Sequence, residues 1–189
     1  MTTETPSPVA RGLLALCAAL ERLIAWVGRA VAWLAILMVL VTFLVVVLRY
    51  AFDLGWIAMQ EAVTYMHAAL FMLGAAYTLQ RDGHVRVDIF YQRLPRARRA
   101  LIDLAGTLLL LFPVAAFIAW ASWGYVSDAW AIREGSREAG GIAGVYLLKT
   151  LILLMPALLL LQGLVLIVRN GLYLAGVESA LPAPGLRDG

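Results

Sequence analysis

The chain has 189 residues, of which 63% are hydrophobic and only 14% charged. Soluble domains are about one quarter charged, so this composition excludes an ordinary water-soluble fold and points to a membrane protein. A net charge of +3 with no basic run interleaved with aromatics argues against nucleic acid as a partner, and the single cysteine, Cys17, excludes an intrachain disulfide.

In chain order, residues 1–10 are polar, hold Pro6 and Pro8, and are expected to form a disordered tail. Over 13–29, Leu13, Leu16, Cys17, Leu20, Leu23, Ile24 and Val27 recur at helical spacing, with Arg11, Arg22 and Arg29 off that stripe. The pattern predicts an amphipathic helix on the inner membrane surface. A signal peptide with "GLLALCAAL" as its apolar core is the competing reading. The charged pair Glu21-Arg22 follows that core at once, and no small-x-small cleavage site precedes a soluble domain, which favours the helix.

Four stretches free of Asp, Glu, Lys and Arg are long enough to cross a bilayer: 30–48, 62–80, 104–127 and 150–168. Lipid offers the backbone no hydrogen bonds, so each is read as a helix. Flanking Arg and Lys side chains can snorkel, which extends the spans to about 30–50, 57–81, 97–127 and 145–172. Pro113 and Pro156 are expected to kink their helices rather than end them. The predicted fold is an all-α integral membrane protein. It has four transmembrane helices within 11–175, the N-terminal amphipathic helix, a short interfacial helix between spans two and three, and a C-terminal tail over 176–189.

That interfacial helix is "GHVRVDIFYQRLP", residues 83–95. Val85, Ile89, Phe90 and Leu94 can dip into the membrane while Arg86, Asp88 and Arg93 stay wet. Gly83 is expected to let the chain turn out of the second span, and Pro95 to break before the third. His84 and Asp88 are one helical turn apart and can hydrogen-bond.

Basic residues set the orientation. The N-terminal arm, the second loop and the C-terminal tail together hold eleven Lys and Arg, whereas the first and third loops hold four: Arg49, Arg133, Arg137 and Lys149. Both termini and the second loop are therefore expected in the cytoplasm, with the chain crossing the membrane four times. Trp120, Trp123, Tyr125 and Trp130, with Tyr50 and Trp56, fall at the expected outer face, as an aromatic belt would.

Few residues suggest chemistry. His67 and His84 invite a bis-histidine haem and a redox membrane anchor. They are about 25 Å apart along one helix, too far to share an iron. Hydrogen bonding of His67 to a neighbouring helix is the simpler reading. Arg49 and Glu61 flank the short first loop and can pair across it, and Lys149 opens the fourth span. An i,i+4 pair with Arg99 explains Asp103. No nucleophile elbow, P-loop, HExxH or CxxC pattern occurs, so no catalytic residue, metal or cofactor is expected. His67 and Gln162 are the main mid-span polar groups, which is no ion relay. The third loop, "SDAWAIREGSREAGGIAG", carries Glu134, Arg137 and Glu138 among its mixed charges. Such charges are either plain surface or a docking rim.

The runs "LRY" (48–50), Glu61, "LGAAYTLQRDGHVRVD" (73–88) and "EAGGIAGVYLLKTLILLMPALLLLQGL" (138–164) occur in an order that resembles the small membrane subunit of tripartite ATP-independent periplasmic (TRAP) transporters. The resemblance covers roughly 20–175, and its most specific piece is "GHVRVD", where the family has a His-x-x-Val-Asp signature. It implies a non-catalytic scaffold that braces a large multi-span permease subunit. In such a machine the large subunit carries the sodium and substrate sites, and a periplasmic binding protein delivers the substrate, commonly an organic acid. Arg49, Glu61, His84, Asp88 and Lys149 would then be structural or partner-interface residues in contact with lipid or the large subunit. Glu134, Arg137 and Glu138 would help to dock the binding protein.

Overall fold

In the computed structural model, residues 7–84, 91 and 93–181 are described. Four helices are long and apolar enough to cross a membrane: α1 (Pro8–Phe52), α2 (Ile57–Gln80), α3 (Arg96–Ala131) and α4 (Val145–Leu174). A short 3₁₀ turn, Glu178–Ala180, follows α4, and the described residues contain no strand. α2 packs between α1 and α4, and α3 packs on α4.

α1 begins inside the expected tail. The Ser7 side chain caps it by accepting from the Ala10 amide at 3.2 Å, and Pro8 occupies the first turn. Proline suits that position, because it has no N–H to lose and its φ is already helical. The expected surface helix is not separate from the first span: the two form one uninterrupted helix of 45 residues. Its buried positions explain why. Ala10, Cys17, Ile24 and Val31 recur every seven residues, so one face turns inward on both sides of Arg29. No proline or left-handed residue interrupts it. At 1.5 Å per residue α1 is about 68 Å long, against a hydrocarbon core of about 30 Å. Leu13, Leu16 and Leu23, three of the seven residues of the expected apolar stripe, remain exposed.

Two glycines let helices approach closely. A Cβ on Gly28 would stand 2.3 Å from the Tyr77 ring, so α1 and α2 meet there backbone to side chain. A Cβ on Gly163 would stand 2.6 Å from the Phe112 ring, which seats α3 against α4. Just before that contact, Thr107–Leu111 forms a π-helical turn. Pro113 cannot donate to the carbonyl four residues back and its ring crowds it, so a wider turn ahead of it relieves the clash. Neither Pro113 nor Pro156 ends its helix, as expected.

The helix ends share one device. After α2, Asp82 takes a left-handed φ of 59° and Gly83 donates to the Thr78 carbonyl at 2.9 Å. After α3, Arg133 (φ 46°) and Glu134 do the same against Ala129, and after α4, Gly176 (φ 96°) and Val177 against Leu172. These are Schellman closures. The left-handed residue leaving α2 is thus Asp82, not the expected Gly83. Pro95 immediately precedes α3, as expected. Asp103 accepts from the Tyr91 hydroxyl at 2.7 Å and Arg99 donates to the Leu94 carbonyl at 2.9 Å, in place of the expected Arg99–Asp103 pair.

Candidate functional site

The most concentrated polar structure lies where α2 begins, α3 ends and α4 begins. Glu61 sits in the second turn of α2. Its carboxylate accepts from the Ser136 hydroxyl and, at 2.6 Å, from the Ile142 amide. The loop it holds is knotted on itself. Ser136 N–H donates to the Ile142 carbonyl at 3.0 Å, Glu138 N–H to Ser136 Oγ at 3.1 Å, and Gly141 N–H to the Glu138 carbonyl at 3.0 Å. Gly141 is needed there, because a Cβ would stand 2.3 Å from Ser136 Oγ and 2.8 Å from Glu61 Oε2.

Next to it, the Lys149 ammonium pairs with the Glu134 carboxylate and lies 3.8 Å from the centre of the Tyr125 ring. The Trp130 indole donates to Thr150 Oγ1 at 2.8 Å and meets the Tyr146 ring edge-on at 4.8 Å. Ion pair, cation–π contact and aromatic edge all join the end of α3 to the start of α4. Glu134 is therefore turned into the molecule, while Arg137 and Glu138 remain exposed. Arg49 is exposed as well, and the Glu61 carboxylate is committed to the loop instead of to it.

The opposite end is closed by a second group. Arg169 on α4 reaches the Glu21 carboxylate on α1 at 2.7 Å and the Ala180 carbonyl at 2.9 Å. Gln80, the last residue of α2, donates to the Glu21 carbonyl at 2.9 Å. Three helices and the C-terminal turn converge on Glu21. Residues 8–20 of α1 continue N-terminal of Glu21, with Ala10 and Cys17 still buried.

His84 lies exposed just beyond α2, and Asp88, with the whole 85–90 stretch, lies outside the described residues. The expected His84–Asp88 contact and the interfacial helix fall there too. His67 is exposed midway along α2, and Gln162 is buried on α4 with an Oε1 that has no partner among the described residues. No cluster of three or more His, Cys, Asp or Glu among the described residues could hold a metal. Every ionised side chain in the two end clusters is held by a hydrogen bond or an opposite charge, an arrangement that fastens helices and leaves no nucleophile–base pair.

The sequence reading picked Glu61 and Lys149 but missed what they hold. Ser136 and the Ile142 amide are 75 and 81 residues from Glu61, and Glu21 is 148 residues from Arg169. No local pattern signals such pairs.

Comparison with family descriptions matches residues 38–171 to "Tripartite ATP-independent periplasmic transporters, DctQ component". The chain belongs to the DctQ family. It is a TRAP transporter small permease subunit, and the family is a transporter component rather than an enzyme family. The match takes in α2, α3 and almost all of α4, with the Glu61 cluster and, of the second cluster, Arg169 and Gln80. It begins within α1, so the N-terminal turns of that helix and Glu21 lie outside it. Neither the curated proteins nor the solved structures gave a match. A haem-bearing DctQ subunit finds no support, since His67 and His84 lie at different depths along the same chain segment.

Proposed function

We propose that this DctQ subunit is the static brace of a sodium-driven, binding-protein-dependent transporter of organic acids in the bacterial inner membrane. It holds a large multi-span subunit in the bilayer, and that subunit carries the ion and substrate sites. The observation that carries the reading is the pair of clusters at Glu61 and Arg169, which fasten the bundle at both ends. A helix set fastened in this way suits the part of a machine that stays still.

Both termini and the Arg169 end are assigned to the cytoplasm, and the Glu61 end to the periplasm, on the basic-residue asymmetry. Membrane lipid covers the outer faces of the bundle. Arg137 and Glu138 are assigned to docking the binding protein, with Glu134 and Lys149 holding their loop in place. Arg49 and His84 are assigned to contacts with headgroups or the large subunit. Asp88 is assigned to the cytoplasmic loop contact with that subunit.

Co-expression with the large subunit tests the reading. A complex should survive mild detergent and should transport only when the binding protein is added. Sodium-driven uptake by this chain reconstituted alone would overturn it. Topology is checked by single cysteines at Arg98 and Arg137, both exposed, in a Cys17→Ser background. They should label from opposite sides of the membrane.

A further inference from the structure

The outward faces of the four helices differ in chemistry. Along α4 the exposed residues are Leu147, Leu154, Ala157, Leu164 and Leu174, all apolar. The mid-span exposed residues of α3 are apolar too, and over residues 30–48 of α1 the one polar exception, Thr42, donates to its own helix at the Met38 carbonyl. Lipid tails cover such faces well. On α2 the exposed residues are Ile57, Gln60, Thr64, His67 and Phe71. They recur at alternating steps of three and four, so they form one straight seam of the kind that packs against another helix. The next position on the seam, Gly74, has open space where a Cβ would be.

His67 decides what covers that seam. It lies about 15 Å from one end of α2 and about 20 Å from the other, which is deep in the hydrocarbon. The other sides of α2 are taken by α1 and α4. No described side chain bonds to the imidazole or to the Gln60 amide. Lipid tails cannot satisfy the imidazole at that depth, and membrane helices meet through small residues and interhelical hydrogen bonds of this sort.

We infer that the Gln60–Thr64–His67–Phe71 seam of α2 is the docking face for a transmembrane helix of the large subunit, one that presents a hydrogen-bonding side chain opposite His67. The inference rests on the scaffold reading above. Phe71, 70% exposed, would fill a gap between that helix and its neighbour, and Gly74 would let the backbones draw together.

The test uses the full chain co-expressed with its affinity-tagged large subunit. A photoreactive phenylalanine analogue is placed at Thr64 or Phe71, and for comparison at Phe117 on α3 or Leu154 on α4. Irradiation should join the two chains from the α2 positions and not from the others. Adducts only from Phe117 or Leu154, or an adduct with a second copy of this chain, would overturn the seam while leaving the complex itself intact. Failure of the tagged subunit to retain the chain at all would overturn the scaffold reading, and the seam with it. His67→Leu supplies an independent readout, because a more apolar helix inserts at least as well. Its recovery with the large subunit should fall by roughly three- to thirty-fold, the range for one interhelical hydrogen bond, and His67→Gln should keep most of it. Undiminished recovery of His67→Leu would refute the role given to His67.

Discussion

At the Glu61 end a carboxylate holds a loop by its backbone; at the Arg169 end a guanidinium holds helices by a side chain and a carbonyl. The Glu61 contacts create a structure that the loop residues would not adopt alone. Ser136, Glu138 and Gly141 bond to one another, but the Ile142 amide needs an acceptor from α2. The Arg169 contacts join helices that already pack through Ile24, Val165 and other buried apolar residues. One end therefore depends on its charge for its shape, and the other uses charge to trim a contact made by packing.

The sharpest way to break this comparison is Glu61→Ala. It strands the Ile142 amide and the Ser136 hydroxyl, so residues 134–144 should become open to a protease added from that face while the helices stay resistant. Glu61→Gln should be intermediate, because its amide oxygen can still accept while its NH₂ faces another donor. Equal cleavage of wild type and Glu61→Ala would show that the loop holds its own shape.

Gly141→Ala should act next most strongly and through the same contact, since its Cβ would drive Ser136 and Glu61 apart. The double change Glu61→Ala with Gly141→Ala should then be cleaved no faster than Glu61→Ala alone, because residues in one network do not add. Additive rates would separate the two.

Arg169→Gln should have a smaller effect. The Arg169 and Glu21 side chains are 21% and 26% exposed, so solvent screens the pair, and its loss should cost about 1 kcal/mol. A thermal unfolding shift of a few degrees that shrinks in high salt would match this. A collapse of the bundle would mean that the Arg169 end depends on its charge as much as the Glu61 end does.

Charge reversal at Arg137 and Glu138 should have the smallest effect on the subunit itself. Both are exposed, so stability and assembly should not change. Transport should slow only when the binding protein is scarce and salt is low, as expected for charges that set an association rate. Normal transport under those conditions would reduce both residues to plain surface.

Much of the architecture was legible from hydrophobic runs. α2, α3 and α4 lie where charge-free stretches of spanning length predict them, because lipid forces an apolar chain to satisfy its own backbone. The N-terminal helix was legible as a helix but not as part of the first span. Its periodicity is the same whether it lies flat or continues upward, and the decision rests on what buries Ala10 and Cys17. Pro8 misled for a local reason: a proline that starts a helix has the same letters as one in a loose tail, and only the Ser7 cap tells them apart.

The sequence by itself determined that the chain has four stretches apolar enough to cross a membrane, and it singled out the polar groups set in or beside them, among them Glu61, His67 and Lys149. Tertiary structure alone decided what those residues meet. Glu61 turned to a loop rather than to Arg49, Lys149 to Glu134, and Arg169 to Glu21, while His67 was left facing outward. The reason is one of range. Span and helix follow from the local balance between apolar transfer and backbone hydrogen bonding. A charge's partner is set by which distant segments the packed helices bring within about 3 Å.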